Sequence, residues 1–551
     1  MQLARRLYLY FIAAVSLLAL AIGLTNLLEL LIGALRDAAG GPNLLAGDAD
    51  AVRRDLSIFA AIVIVALPIW LLHWWLAERG LRGADGDEER RSTARALYLT
   101  AVLGGAFVAG TVAATELVQA FTHWIVDSGG GGSTGGIERW LALVVIATAI
   151  WAYHGWVRLR DMRDGPLDAE ADWLPRLYVY GAAFVGLTLL AFAVGDLLAL
   201  VIEVVTTDDR VLVGTGVWDG LLASGVSRAL VGMLVWVAHW QYSLRLTAAP
   251  DWRGQHARAS ALHRFYGYAV AFGAVVMTLL LVTRVGEALL SALLDAVSPD
   301  AEPFPHRLLD PAVRAVPFIV AWAYHRRRVL AEAASWSEGA KQATVRRIYV
   351  YAIALIGLAL TGYGLSRLIA VSIDRTSFGD SVVSSPSGDP WRAEVAQLAS
   401  LTIVGAAAWL WHWYRAQSWL RLDPVAEQTA TVRRAYLFAS IAGSIVALLV
   451  SLAVVIYRLF AEILGVEATD GLVEELSQPF AVLLVAAALL AYHATLLRAD
   501  LGERETPTVD EVTSFQVVVT GPAGADAAYV VASIQSSLPD GFVVHTVPRS
   551  D

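Results

Sequence analysis

An Arg-x-Tyr, or in one copy a near variant, opens an apolar stretch six times along this 551-residue chain, and about sixty residues later a His closes a second stretch each time. The tyrosines are Tyr8, Tyr98, Tyr178, Tyr266, Tyr349 and Tyr436; the histidines are His73, His154, His239, His325, His412 and His493. Recurrence at a period of about 80 to 90 residues means that one two-segment unit has been copied along the chain. The pattern predicts repeats over 1–92, 93–172, 173–260, 261–343, 344–430 and 431–500, a linker over 501–511 and a small tail over 512–551.

What the segments are follows from their apolarity. Each runs about 18–28 residues, the length that crosses a bilayer, in a chain that is 57% hydrophobic and 17% charged with a mean hydropathy of +0.58. Soluble domains hold more charge and less apolar surface. The expected fold is an all-α integral membrane protein, twelve transmembrane helices arranged as six parallel two-helix repeats, with a small C-terminal β-α-β tail. The chain has no Cys, which excludes disulfides, cysteine-ligated metals, iron–sulfur clusters and c-type haem attachment. Nothing in the distribution of its −9 net charge supports nucleic-acid binding. Arg5-Arg6 before the first apolar run resembles a signal peptide, but the match to five other copies and the missing small-residue cleavage site predict that it is retained.

Connections from the second segment of a unit, helix B, to the first of the next, helix A, are basic: Arg79, Arg82, Arg90, Arg91 and Arg95 lie in one, Arg326, Arg327, Arg328, Lys341, Arg346 and Arg347 in another. The A-to-B connections are acidic or Gly-rich, as in Asp127 to Gly136, Asp208-Asp209 and Glu467 to Glu475. Basic short loops stay in the cytoplasm, so both termini are expected there. With two spans per unit, all copies share one orientation about an axis along the membrane normal. Such hairpins could close a pseudo-sixfold ring or pack as three four-helix groups. Pro68, Pro317 and Pro479 fall within or at the start of helix B, so the symmetry is only approximate. Asp423-Pro424-Val-Ala-Glu427 has the cap, first-turn proline and acid of a helix start, which predicts a short helix along the headgroups before helix A.

Helix A begins with Arg two places before Tyr in five copies, and with Arg95 three places before Tyr98 in the sixth. Helix B ends in Trp-x-x-His in five copies, Trp70-Leu-Leu-His73 being the first, and in Leu490-Ala-Tyr-His493 in the last. At 1.5 Å per residue both motifs fall at one interface, where Trp and Tyr anchor and Arg snorkels. Two other uses of the six His remain: an inward ring for metal or b-type haem, and a His and Arg ring at the mouth of an anion or proton path. No cofactor is expected, with haem kept as a distant alternative. Eighteen residues after each Tyr stand Asn26, Glu116, Asp196, Arg284, Arg367 and Val454. Intramembrane charges normally pair, so Glu116 or Asp196 is expected to meet Arg284 or Arg367. This layer either ends the hydrophobic span or lines a vestibule.

The tail carries Ser514 to Thr520, a turn at Gly521-Pro-Ala-Gly524, an amphipathic stretch from Asp526 to Leu538 and Gly541 to Val547. A two-stranded sheet is marginal alone, so residues 512–551 are expected to pair with another copy or a cytoplasmic partner, or to pack on the membrane domain. The turn lacks the Lys-Ser/Thr of a P-loop, and no catalytic motif is present, so no enzyme is expected. Arg6-Leu7-Tyr8 and Trp-Leu-Leu-His-Trp-Trp at 70–75 resemble a bacterial family of multi-pass membrane domains of unknown function, over about residues 1–498. That resemblance implies tandem two-helix units in the bacterial inner membrane, with the lipid bilayer as partner, and no activity. Ion or small-solute permeation is the leading expectation, a membrane scaffold or sensor the alternative, and haem electron transfer the distant third.

Overall fold

The computed structural model describes residues 2–39, 49–83, 85–126, 136–162, 172–206, 215–297, 301–335, 339–378, 390–465, 472–502, 530–531 and 533–535. The chain divides into two compact units, Met1–Leu497 and Arg498–Asp551. Of the second, the last turn of a long helix and the helical residues 530–531 and 533–535 are described. Those positions lie in the amphipathic stretch of the tail; the two strands expected there, and the linker from 503, fall outside the described residues.

The first unit is a succession of helical hairpins. The first joins α1 (Gln2–Ala38) to α2 (Ala49–Gly80); a short α3 (Gly86–Arg91) leads to the second, α4 (Thr93–Val126) with α5 (Ile137–Asp161). The third is α6 (Trp173–Thr206) with α7 (Thr215–Ala248), followed by a short α8 (Trp252–Ala259) and the fourth, α9 (Ala261–Leu293) with α10 (Phe304–Ser335). The fifth is α11 (Ala340–Phe378) with α12 (Pro390–Leu422), then α13 (Pro424–Gln428) and the sixth, α14 (Thr431–Leu464) with α15 (Leu472–Gly502). The helix expected at Asp423 is present: its carboxylate accepts from the Ala426 amide at 3.1 Å, and Pro424 occupies the first turn. Pro68, Pro317 and Pro479 all lie inside B helices.

Among the described residues, eleven helices are long and apolar enough to cross a membrane. The chain is a multi-pass membrane protein. The expected count of twelve is not reached because α10 fails on composition: Asp310 and Arg314, bonded one turn apart at 3.0 Å, and the run Arg326 to Arg328 lower its hydropathy. Side-chain placement is that of a lipid-solvated bundle. Leu18, Ile64, Leu234 and Leu449 project outward in mid-helix, whereas Ala13, Ala113, Ala183, Ala223, Ala354 and Ala481 are fully buried. Lipid tails are as apolar as Leu, so helices associate through close contact of small residues. In the third hairpin Gly186 faces Gly232 across α6 and α7; a Cβ on Gly186 would come within 2.5 Å of the Trp236 backbone nitrogen. The fifth hairpin repeats this with Gly357 against Gly405.

Packing follows chain order. Helix α1 packs on α4 and α5, α4 on α6 and α7, α6 on α9 and α10, α9 on α11 and α12, and α11 on α14. The short helices α3, α8 and α13 each lead from an odd hairpin to an even one.

Candidate functional site

The recurrent His and Tyr meet inside each hairpin, at the end where helix A starts and helix B finishes. All six His place Nδ1 against the carbonyl oxygen four residues back, at 2.8–2.9 Å. A carbonyl only accepts, so Nδ1 carries the proton, and Nε2 of the neutral ring is the acceptor. The Tyr hydroxyl of the same hairpin faces that nitrogen in four copies: Tyr8 to His73 at 3.5 Å, Tyr98 to His154 at 3.2 Å, Tyr178 to His239 at 3.0 Å and Tyr436 to His493 at 3.3 Å. In the other two the rings touch, with centroids 5.5 Å apart for Tyr266 and His325 and 5.8 Å for Tyr349 and His412. The Trp three residues before the His reaches forward: Trp151, Trp322 and Trp409 donate to Tyr178, Tyr349 and Tyr436 of the next hairpin, at 2.6, 3.4 and 3.1 Å. In each hairpin His and Tyr meet, and three of the motifs, at Trp151, Trp322 and Trp409, are also tied to the next hairpin through Trp.

A second set of bonds groups the hairpins in twos. In odd hairpins the residue after the His is Trp74, Trp240 or Trp413; in even hairpins the residue before it is Tyr153, Tyr324 or Tyr492. Each Trp donates to the Tyr of the hairpin that follows, at 2.6, 2.7 and 2.6 Å. Its ring also lies on Tyr98, Tyr266 or Tyr436, with centroids 5.1–5.3 Å apart. The even members Tyr98, Tyr266, Tyr436, His154, His325 and His493 are buried. Packing is their first task, where the sequence pattern placed all twelve as interfacial anchors; of the odd copies Tyr8 is exposed, His412 is buried, and the rest are partly exposed.

At the centre of each pair, three residues before the even Tyr, stands Arg95, His263 or Arg433. Arg95 is completely buried and donates to Glu78 and Asp161 at 2.7 Å each and to the Tyr10 hydroxyl at 3.3 Å, with its guanidinium 5.4 Å from the Trp74 ring. Tyr10 donates to Glu89 of α3 at 2.9 Å, and Arg6 to the same carboxylate at 2.7 Å. The third pair repeats the design: Arg433 reaches Tyr351 at 3.4 Å, and Tyr351 and Arg347 both donate to Glu427 of α13, at 2.8 and 2.9 Å. The second pair substitutes His263, stacked on Trp240 at an interplanar angle of 6°. Ser243 donates to Tyr180 at 3.1 Å, Tyr180 to His263 Nδ1 at 2.9 Å, and His263 Nε2 to Glu332 at 2.9 Å. Buried charge survives in a low-dielectric site when it is paired and hydrogen-bonded, as Arg95 is by Glu78 and Asp161.

The opposite end carries the polar layer. Asp196 is bonded to Arg228 at 3.1 Å and to Arg314, which also holds Asp310. Arg367 donates to Glu394 and, at 3.1 Å, to Gln478. The expected pairing of Glu116 or Asp196 with Arg284 or Arg367 is therefore not what forms. Arg284 is 72% exposed, 3.8 Å from Glu287 on its own helix. Asn26 donates to the carbonyl of Ile22 at 2.8 Å, Glu116 is half-buried with no bonded partner among the described residues, and Val454 is exposed. Arg36 pairs with Glu138 across the first pair, so each pair has an ionic clasp at this end too. Among the described residues no three His, Asp or Glu converge as a metal site would require.

A family model described as "Domain of unknown function (DUF5671)" matches the chain three times in tandem, over residues 6–131, 176–346 and 347–488. Each of the last two matches takes in one pair of hairpins. No curated protein and no solved structure matches the chain.

Proposed function

The chain belongs to the DUF5671 family, whose description assigns no activity, and from that premise we propose that it is a membrane scaffold or sensor presenting its tail, residues 512–551, to a partner. The reading counts α10 as a twelfth span, since its helix partner and its two bonded termini match those of the other B helices. It places both termini and the Arg-rich connections in the cytoplasm of a bacterial cell, with the bundle in the inner membrane.

One observation carries it. The charged groups that a permeation path would need along a shared interior, Asp196, Arg228, Arg314, Arg367 and Glu394, are spent on bonds between helices of a single pair. A path needs groups that exchange ligands with a passing solute; groups locked in bonds between helices serve rigidity. Permeation of an ion or small solute is the second reading, favoured by Arg284, which stands exposed after the apolar run 269–282 of α9. Affinity recovery after cross-linking in cells tests the first reading. Full-length protein is expected to bring down a partner or a second copy of itself, and a chain lacking residues 505–551 to lose it; unchanged recovery overturns the proposal.

A further inference from the structure

Between the second and third hairpins, at the motif end, lies a cavity of about 600 Å³ walled by α5, α6 and α7 and covered by the short helix α8. One side chain in it breaks the rule of the repeat. Four residues after the His, the other five copies carry Ala77, Ser243, Val329, Ala416 and Leu497; the second carries Arg158. Arg158 is more than nine-tenths buried, and its Nε has no hydrogen-bond partner. Among the described residues it makes no ion pair either. The nearby carboxylates are already engaged: Asp161 with Arg95 and Arg160, Asp172 with Arg176 at 2.5 Å.

An unpaired buried guanidinium is a net loss to the folded protein, and the five other copies show that the position is filled well by a small or apolar residue. A bound anion would recover that loss. The remaining walls fit this. Arg90, Arg91, Arg176 and Arg253 also line the cavity, so five arginines face two aspartates. Guanidinium groups match phosphate oxygens in a bidentate geometry. The space is far larger than a bare oxyanion, and Trp156, Tyr242 and Trp252 supply aromatic wall, the composition of a pocket that takes an apolar body with one charged head.

We propose that this cavity binds an anionic phosphate monoester head carried on an apolar body, with Arg158 as the buried counter-charge and Arg253 at the α8 rim. The site does not depend on the scaffold reading, since it needs only the second and third hairpins to be packed as they are. A membrane phospholipid and a soluble phosphate ester offer the same head, and the two are separable by experiment.

Full-length protein purified in detergent is titrated with dihexanoyl phosphatidic acid, dihexanoyl phosphatidylcholine, phenyl phosphate and inorganic phosphate, following intrinsic tryptophan fluorescence and the thermal midpoint. Phosphatidic acid is expected to bind saturably and raise the midpoint. Arg158→Leu, which installs the residue of the sixth repeat, is expected to bind at least tenfold more weakly while its unliganded midpoint equals or exceeds that of the wild type. Arg253→Gln, at the rim, is expected to weaken binding severalfold and guards against a folding defect in the first variant. Phosphatidic acid binding tenfold more tightly than phenyl phosphate supports the site and assigns it to lipid, phenyl phosphate binding as tightly as phosphatidic acid supports it and assigns it to a soluble ester, and inorganic phosphate binding as tightly as either overturns it. Phosphatidylcholine binding as well as phosphatidic acid, no binding of either phosphate monoester, or both variants binding like the wild type overturns the proposal.

Discussion

Arg95→Ala removes the hub of the first pair of hairpins. The wild-type guanidinium is wholly buried and makes two 2.7 Å bonds, to Glu78 and Asp161, and one of 3.3 Å to Tyr10. Its loss strands Asp161, whose side chain is only 2% exposed, with Arg160 as its one remaining cation at 3.0 Å. Breaking a buried ion pair costs about 3–5 kcal/mol. Arg160 relieves part of that, while the lost contact with the buried face of Trp74 adds about 2 kcal/mol, so a destabilisation of about 3–5 kcal/mol is expected. Arg95→His, which copies His263 of the second pair, should recover part of the loss, because imidazole there bridges a Tyr and a carboxylate. Arg95→Ala with Asp161→Ala should cost less than the two single changes added, by about 1 kcal/mol or more, as expected for residues in one network. The assay is unfolding in mixed detergent micelles followed by near-ultraviolet circular dichroism, which reports the packing of Trp74. A loss under about 1 kcal/mol for Arg95→Ala, or strictly additive single changes, refutes the hub.

Tyr178→Phe deprives Trp151 and His239 of one shared partner and should cost about 1–3 kcal/mol for the unmade bonds, whereas Tyr8→Phe, whose single bond is 3.5 Å long at an exposed site, should fall within about 0.5 kcal/mol of wild type in the same assay. Gly186→Val drives a side chain into the backbone of α7 and should lower the yield of monodisperse protein on size exclusion, while Gly181→Ala, with open space beside it, should leave the yield unchanged. Because Nε2 of four motif histidines is already held by Tyr, protein expressed with excess haem is expected to show no Soret band; a band abolished by His154→Ala would contradict the clamp.

Much of this fold is written locally and so can be read from one sequence. The hairpin register, the prolines within helix B and the helix start at Asp423 each depend on residues a few places apart. Depth along a helix follows from the 1.5 Å rise, which is why the Tyr and His fall at one end. Azimuth does not follow from depth, so nothing in the register separated buried Tyr98 from exposed Tyr8. The pairing of hairpins did have a signal, the alternation of Trp after His with Tyr before it, but it occupies one residue on either side of a stronger motif. The outer ion pairs differ from the expected ones for a geometric reason. Comparing equal positions on A helices set Asp196 against Arg284 and Arg367, yet its partners Arg228 and Arg314 lie on B helices, each eleven residues before the His. In antiparallel packing the neighbour at equal depth is counted from the other end. Arg158 is silent in a pattern of what recurs, because its meaning lies in being the exception.

Conductance of the purified protein in planar bilayers tests the scaffold reading most directly. With Asp196, Arg228, Arg314, Arg367 and Glu394 held in bonds between helices, the prediction is a current no greater than that of protein-free bilayers, with salts of differing cation and anion and with the voltage applied in either direction. A reproducible current whose ion selectivity changes in Arg284→Ala or Arg367→Ala would contradict it and establish a path through the bundle.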